Sequence, residues 1–577
     1  MVSFAQKDGG KPYTTETEIL MEDLEKMFAQ YDRKSAKSLI SDFNTSWNSG
    51  KYNDGHKKQI VNLLNVMDSI KLRVFPDMGN YIEGLINFVD TDQPIARFEP
   101  WHAAILDLTD EKSEKRSLSR YIEFTRFLFK DGTLYETQSG SVKWMTPSDD
   151  YTFVFDKEPY LVFKQLDLKC YAKKDSAVIY NTSGSYYPLQ TKWHGEGGKV
   201  TWARAKYDPD KLYAMLKGYS LDTRKPSFEA DSVLFTNKQY FQSPLLGKLE
   251  EKIISDVSGN RITYPRFNSY EKRLVIKNII DKVDYDGGFA QHGVRFLGAG
   301  TGENPSKIIV YRDNKPFLTA SSQRFIININ TDLKVEEEDE KRRRRKKDED
   351  NDDQKNRIVS NSCYIEIALD TDTIVHPGLT FKLFTDDREV NLLKSDKGMD
   401  QAPYVNNYHG FEMDFELMEW KIDDPVIQFR SALMSTDKRA YFTSLRYYTQ
   451  QEFDALMGVS NRHPLSQIKF CSDEYNTREF GLNEIAACVE LPPTAIEGML
   501  LRYTYMGYVN YNTETKRVRL NEKLFHHVLS RSERADYDVI NIVSDADGTK
   551  DGVINASLNL LSYDLTILGV NRVVLSK

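Results

Sequence analysis

From residue 14 to about residue 128, apolar residues return every three or four positions. Ile19, Leu20, Leu24, Met27, Phe28 and Tyr31 mark one amphipathic helix, because such steps keep side chains on one helical face. Ser35 is expected to cap a second helix, with Leu39, Ile40 and Phe43 on its buried side. Residues 56–74 carry the broadest stripe (Ile60, Leu63, Leu64, Met67, Ile70, Leu72), and Pro76 is expected to end that helix. Stretches 78–89, 100–106 and 117–129 complete a helical domain over residues 14–130, read as a bundle or a set of paired helices.

From about Leu134 the period changes to two, which predicts strands at 140–144, 151–155, 160–168 and 199–204. Residues 245–257 leave the period open and read as a short helix or an irregular join. The densest pattern runs over 283–330. Gly287-Gly288 is expected to be a turn, Val294, Phe296 and Gly298 alternate with Arg295 and Leu297, and Asp313-Asn314-Lys315-Pro316 joins two rungs at 308–312 and 317–320. Phe325, Ile327 and Ile329 then form one face of a further rung. Alternation returns at 358–393 and 553–575. At 411–420, Phe411, Met413, Phe415 and Leu417 oppose Glu412, Asp414 and Glu416, the pattern of one half-buried strand with an acidic outer face.

Rungs this short bury a face only by stacking on one another. The chain therefore resembles large β-solenoid or β-roll envelope proteins, with a jelly-roll-like sandwich as the alternative. The expected fold class is multidomain α + β. A disordered terminus or signal-peptide remnant (1–13) precedes the helical domain (14–130). A β-rich stacked-rung region (134–332) is continued at 358–450 after a disordered charged loop (333–357). A helical insert (451–535) follows, and β rungs return at 536–577.

The insert carries the most specific local resemblance. Leu482 to Val489 reads as a helix, Leu491-Pro492-Pro493 as a turn with Pro493 at a helix start, and Thr494 to Met506 as a second helix closed by Gly507. Val509 to Tyr511 and Val518 to Leu520 then read as a hairpin across 512–517. This order over residues 481–520 resembles a winged helix, a module often found in DNA-binding proteins. The resemblance implies that the second helix offers Thr494, Glu497, Arg502, Tyr503 and Tyr505 to a partner, and that Lys516, Arg517 and Arg519 sit in or beside the wing. One arginine against one glutamate makes a poor DNA surface, and three wing cations release few counterions.

Composition narrows the reading further. The net charge of −8 gives no general reason to expect nucleic acid or an anionic membrane. Between Glu336 and Asp353 the charged loop holds ten acidic and seven basic residues, and the acidic runs offset the basic run 341–347. No stretch has the apolar length of a membrane helix. The first residues, Met1 to Lys7, resemble the tail of a secretory signal. An exported chain that starts upstream is expected, as is continuation past Lys577.

The four cysteines (Cys170, Cys363, Cys471, Cys488) lack zinc spacing, and Cys488, in an apolar helical run, is expected to be a buried thiol. Asp281, Asp284 and Asp286 near Gly287-Gly288 offer a calcium loop or a glycosidic carboxylate pair, but solvated turns look the same. Trp193, Trp202, Tyr186 and Tyr187 offer a sugar platform, with core packing the simpler reading. His194 to Gly198 lacks phosphate-loop spacing, and adjacent His526 and His527 point to different helical faces.

No catalytic, cofactor-binding or metal-ligating residue is therefore assigned. The expected function is a non-enzymatic scaffold or adaptor, exported to the periplasm or cell envelope and docking protein partners there. Any membrane association is expected to run through those partners. The alternatives are a β-helix protein that binds or degrades polysaccharide, and nucleic-acid binding through the insert, with a cytoplasmic location as the alternative compartment.

Overall fold

The structure, a computed structural model, describes residues 12–31, 33–109, 114–253, 262–301, 304–329, 356–394, 401–431, 439–457, 462–513, 515–545 and 553–575. The signal-like first residues and all but the end of the charged loop lie outside them. The chain divides into two compact units, Met1–Tyr270 and Glu271–Lys577. Its class is mixed α + β: a helical N-terminal region followed by a strand-rich region whose paired strands are antiparallel.

Unit 1 opens with α1 (Thr17–Ala29), α2 (Arg33–Trp47), α3 (Asp54–Ser69), α4 (Gly79–Asp90), α5 (Phe98–Asp107) and α6 (Lys115–Asp131). Asn53 caps α3 through the His56 N–H at 2.9 Å. The expected helix over 56–74 ends earlier, at Ser69, where Lys71 enters the left-handed region at φ 53°. Ser35 lies inside the first turn of α2 instead of capping it. The apolar stripes meet in an aromatic core, with Phe88 5.9 Å from Trp101 and Trp101 4.9 Å from Phe129. Each such side chain contributes about 1.5–3 kcal/mol on burial.

The strands of unit 1 follow. Glu158–Ala172 pairs with Asp175–Tyr187 along most of its length. Of residues 245–257, those past Ile253 lie outside the described residues, and the rest hold the strand Leu245–Lys252, paired with Ser227–Asn237. Leu245, Gly247, Leu249 and Glu251 are its buried positions, so the period was two after all; the charged residue at a buried position hid it.

In unit 2 two antiparallel ladders run side by side. The first joins Ser306–Arg312, Lys315–Ser322, the later half of Arg357–Leu369, the earlier half of Asp372–Phe384, Tyr404–Asn406, Phe411–Asp414, Ala440–Ser444 and Asn541–Ser544. The second joins Arg295–Ala299, Arg324–Asn328, the other halves of the same two long strands, Glu389–Leu393, Leu417–Lys421, Val426–Ser431 and Val553–Asn559. Phe317 of the first ladder meets Trp420 of the second at 4.9 Å. Phe415, in the crossing between them, stacks on Tyr404 at 4.4 Å and meets Phe429 at 4.7 Å. The alternating apolar positions of both ladders therefore face one core.

Two expectations change here. Gly287-Gly288 is not a turn but the middle of the strand Val283–His292. There the strand passes from pairing with Ser306–Arg312 to pairing with Arg295–Ala299. A Cβ at Gly287 would come within 2.5 Å of the Ser306 and Tyr285 side chains, so glycine serves close approach at the crossing. The strand expected over 411–420 is two strands, Phe411–Asp414 and Leu417–Lys421, one in each ladder. Its acidic face is not all solvated, since Glu412 is only 6% exposed.

Candidate functional site

The sequence candidates for chemistry are dispersed, and each is neutralised locally. Asp281 pairs with Arg388 at 3.4 Å and Asp286 with Arg273 at 2.7 Å. Burial pulls the Asp284 carboxyl up, but its bonds from Lys277 (2.7 Å) and the Asn278 N–H (2.8 Å) outweigh that and hold it below the usual carboxylate range. Three carboxylates each matched to a cation leave no free ligand set for calcium. Trp193, Trp202 and Tyr186 are core residues. The Trp193 Nε1–H donates to the Tyr219 hydroxyl at 3.2 Å and the Trp202 Nε1–H to the Pro265 carbonyl at 3.0 Å. Tyr187 stacks on Tyr160 at 5.0 Å. Among the described residues no group of three or more His, Cys, Asp or Glu side chains is placed to hold a metal.

What the chain does assemble is the inserted module. Its elements are α7 (Gln450–Ala455), α8 (Pro464–Tyr475), the strand Glu479–Gly481, α9 (Leu482–Val489), α10 (Pro493–Tyr505), the strands Val509–Asn512 and Arg517–Leu520, and α11 (Glu522–Arg531). Arg517–Leu520 lies between the other two strands in an antiparallel three-stranded sheet. The helix, turn, helix and hairpin expected from residues 481–520 form. The preceding helix lies within the expected helical insert, whereas the strand Glu479–Gly481 was not expected and completes the sheet.

Local signals explain these elements. His463 caps α8, its Nδ1 accepting from the Leu465 N–H at 3.2 Å while its Nε2 bonds the Phe453 carbonyl at 2.8 Å. Pro464 and Pro493 stand in the first turns of α8 and α10. Glu484 accepts from the Gly481 N–H at 2.6 Å and opens α9. Gly507 follows α10 at φ 77°. The module has its own core, including Leu465, Ile468, Ile485, Ile496, Leu500, Val518 and Leu524.

Cys488 is not a free thiol. It forms a disulfide with Cys471 and ties α9 to α8. An apolar helical run reads as a buried thiol from sequence, and only the packing of two helices brings the partner sulfur close. Cys170 and Cys363 are buried and take no part in a disulfide.

The module is fastened to the ladders at one polar junction. Lys523 of α11 reaches Glu412 at 2.5 Å and lies 5.3 Å from the centre of the Tyr508 ring. A Cβ at Gly507 would come 2.9 Å from the Glu412 Oε1, so glycine there meets both the turn and the close contact. Burial raises the nearby Glu452 carboxyl; Lys523 opposes the shift and Glu412 adds to it. The Tyr508 hydroxyl bonds the His527 Nε2 at 3.1 Å. Burial first, then Lys523 and the neighbouring imidazoles, pushes His527 down to about 3, so it is neutral at ordinary pH. His526 faces outward to the Asp536 carbonyl at 2.7 Å. The two histidines do point apart.

Among the described residues, four cations on the outer surface of the module are paired, while Arg502 and Arg519 show no ion pair. Lys469 pairs with Asp473, Lys516 with Glu497, Arg517 with Glu479 and Arg478 with Glu522. Along α10, Thr494, Gly498, Arg502 and Tyr505 form one exposed stripe, while Ile496, Leu500 and Tyr503 face the core. Tyr503, offered to a partner by sequence, is therefore a core residue. Tyr505 is 55% exposed, and Phe470 on α8 is 62% exposed. Comparison of the chain with family models, curated proteins and solved structures finds no match in any of the three.

Proposed function

We propose that this chain is a non-enzymatic interaction protein that docks a protein partner through the α10 stripe of its winged-helix-like insert. In this reading the ladders of unit 2 serve as a sandwich-like stack of rungs, a rigid mount for the module. The observation that carries the reading is the character of the stripe: an exposed tyrosine beside Arg502, with two of the three wing cations, Lys516 and Arg517, already paired to carboxylates. Tyrosine and arginine anchor protein interfaces, whereas a DNA-binding helix and wing need unpaired cations for the phosphates. The partner segment this chemistry fits carries an acidic side chain for Arg502 and an apolar one for the Tyr505 ring.

The reading places the protein in the cell envelope. The Cys471–Cys488 disulfide supports that placement, because such bonds persist in oxidising compartments and are rare in the cytosol. A photo-crosslinking side chain placed at Tyr505, in the full chain in its native organism, tests both parts. The expected product is one protein adduct in the envelope fraction that disappears with Arg502→Glu. Adducts confined to the cytoplasmic fraction, or to nucleic acid, refute the reading.

A further inference from the structure

Both ladders of unit 2 end, among the described residues, on one segment with two arms. Leu565–Ile567 pairs with Val553–Asn559 in the second ladder, and Val570–Val574 pairs with Asn541–Ser544 in the first. Neither arm has a strand on its other side among the described residues. Leu568 and Gly569 make the crossing between the arms, and it is held in place. The Leu568 N–H donates to the Asn555 carbonyl at 2.8 Å, the Leu568 carbonyl accepts from the Ser544 hydroxyl at 2.7 Å, and the Gly569 carbonyl accepts from the Asp545 N–H at 2.8 Å. The segment is therefore an edge of fixed shape, with a row of backbone N–H and C=O groups unused along each arm.

Residues that face each other across a strand pair lie on the same side of the sheet. Leu565 faces Leu558, and Ile567 faces Ala556. Val570 faces Ser544, and Val573 faces Ile542, which faces Phe442 in turn. Leu558, Ala556, Ser544 and Phe442 are fully buried, so Leu565, Ile567, Val570 and Val573 all point to the core side. Yet Val570 is 47% exposed and Val573 50%. The core is open at this end. What closes it is an antiparallel strand that crosses at the same place and carries apolar side chains on the inner side of both arms.

The same segment from a second copy, run in reverse, meets that description. A two-fold axis through the crossing, along the bisector of the arms, lays Val570–Val574 of one copy on Leu565–Ile567 of the other, and the same contact recurs on the second arm. The charges agree with this arrangement. Arg572 faces Val543 on the outer side of one arm. Asp564, whose carbonyl accepts from the Asn559 N–H at 3.0 Å, extends the outer side of the other arm. Neither makes an ion pair among the described residues. Reverse pairing sets Arg572 of each copy beside Asp564 of the other, twice over, whereas pairing each arm with itself sets Arg572 against Arg572.

We propose that the chain self-associates as a two-fold dimer through this edge, each copy supplying the next strand of both ladders of the other. The interface is separate from the docking stripe on α10. Sedimentation equilibrium of the full chain tests it. Monomer and dimer are expected with no larger species, because a two-fold contact closes on itself. Arg572→Glu and Asp564→Lys, both at exposed positions, are each expected to weaken the dimer by roughly tenfold or more. An equimolar mixture of the two variants is expected to recover it, since each then offers the charge the other needs. Melting temperatures equal to that of the parent chain establish that both variants fold. A parent chain that stays monomeric, as it does if a foreign strand or more of its own chain occupies the edge, overturns the proposal. So do open-ended oligomers, a dimer indifferent to either charge reversal, or a mixture that associates no better than its components.

Discussion

In unit 1 the Arg204 guanidinium lies between Asp175 and Glu251, and all three side chains are largely buried. In unit 2 Lys523 leaves the inserted module to meet Glu412 on the first ladder. The first arrangement puts one cation between two carboxylates inside a single folded layer; the second puts one cation across the seam between two separately cored parts. Removing a partner from either strands a buried charge, but the consequences travel differently. Loss in unit 1 falls on the sheet itself, whereas loss at the seam releases a module that keeps its own core.

Arg204→Met should give the largest effect. It leaves two carboxylates without their cation and should cost about 3–5 kcal/mol in urea denaturation of unit 1, with a smaller loss near pH 5, where carboxyls take up protons. Next, Cys488→Ser opens a loop with a sequence separation of 17 and should cost the module about 3 kcal/mol. Limited proteolysis should then cut within the module before the ladders. Lys523→Met should cost about 2 kcal/mol, read as faster proteolysis between α7 and α8 with the melting of unit 1 unchanged. If Lys523→Met and Arg204→Met instead melt the whole chain alike, the contrast between seam and layer fails.

A pH series sharpens the same contrast. Burial pushes the Glu251 carboxyl up to about 7 from 4.5, against the opposing pull of Arg204. A carboxyl raised on folding favours the folded state fully below about pH 4.5, and that contribution is lost as pH rises through about 7. Unit 1 should therefore lose thermal stability from pH 5 to 8, and Glu251→Gln should flatten that slope. The smallest effect is expected at the docking stripe. Tyr505→Ala should change stability by less than about 0.5 kcal/mol while abolishing the crosslink partner's binding.

The contrast also tells what was readable in the chain. Period-two alternation was legible wherever one face is apolar, as at Phe325, Ile327 and Ile329, and the helical region was legible from its stripes. Glu412 was not, because the α11 side chain that covers it lies more than a hundred residues later. Gly287-Gly288 read as a turn because a glycine needed for close approach and one needed for a left-handed turn look alike in sequence.

The two long strands Arg357–Leu369 and Asp372–Phe384 belong to both ladders at once. Under tension, a lone hairpin peels open one hydrogen bond at a time. Here, drawing this hairpin out of one ladder drags on its pairing in the other, so the load is carried by two rows of bonds together. The hairpin is thus a mechanical rivet, and a pulling experiment on unit 2 should meet its highest force where these strands part.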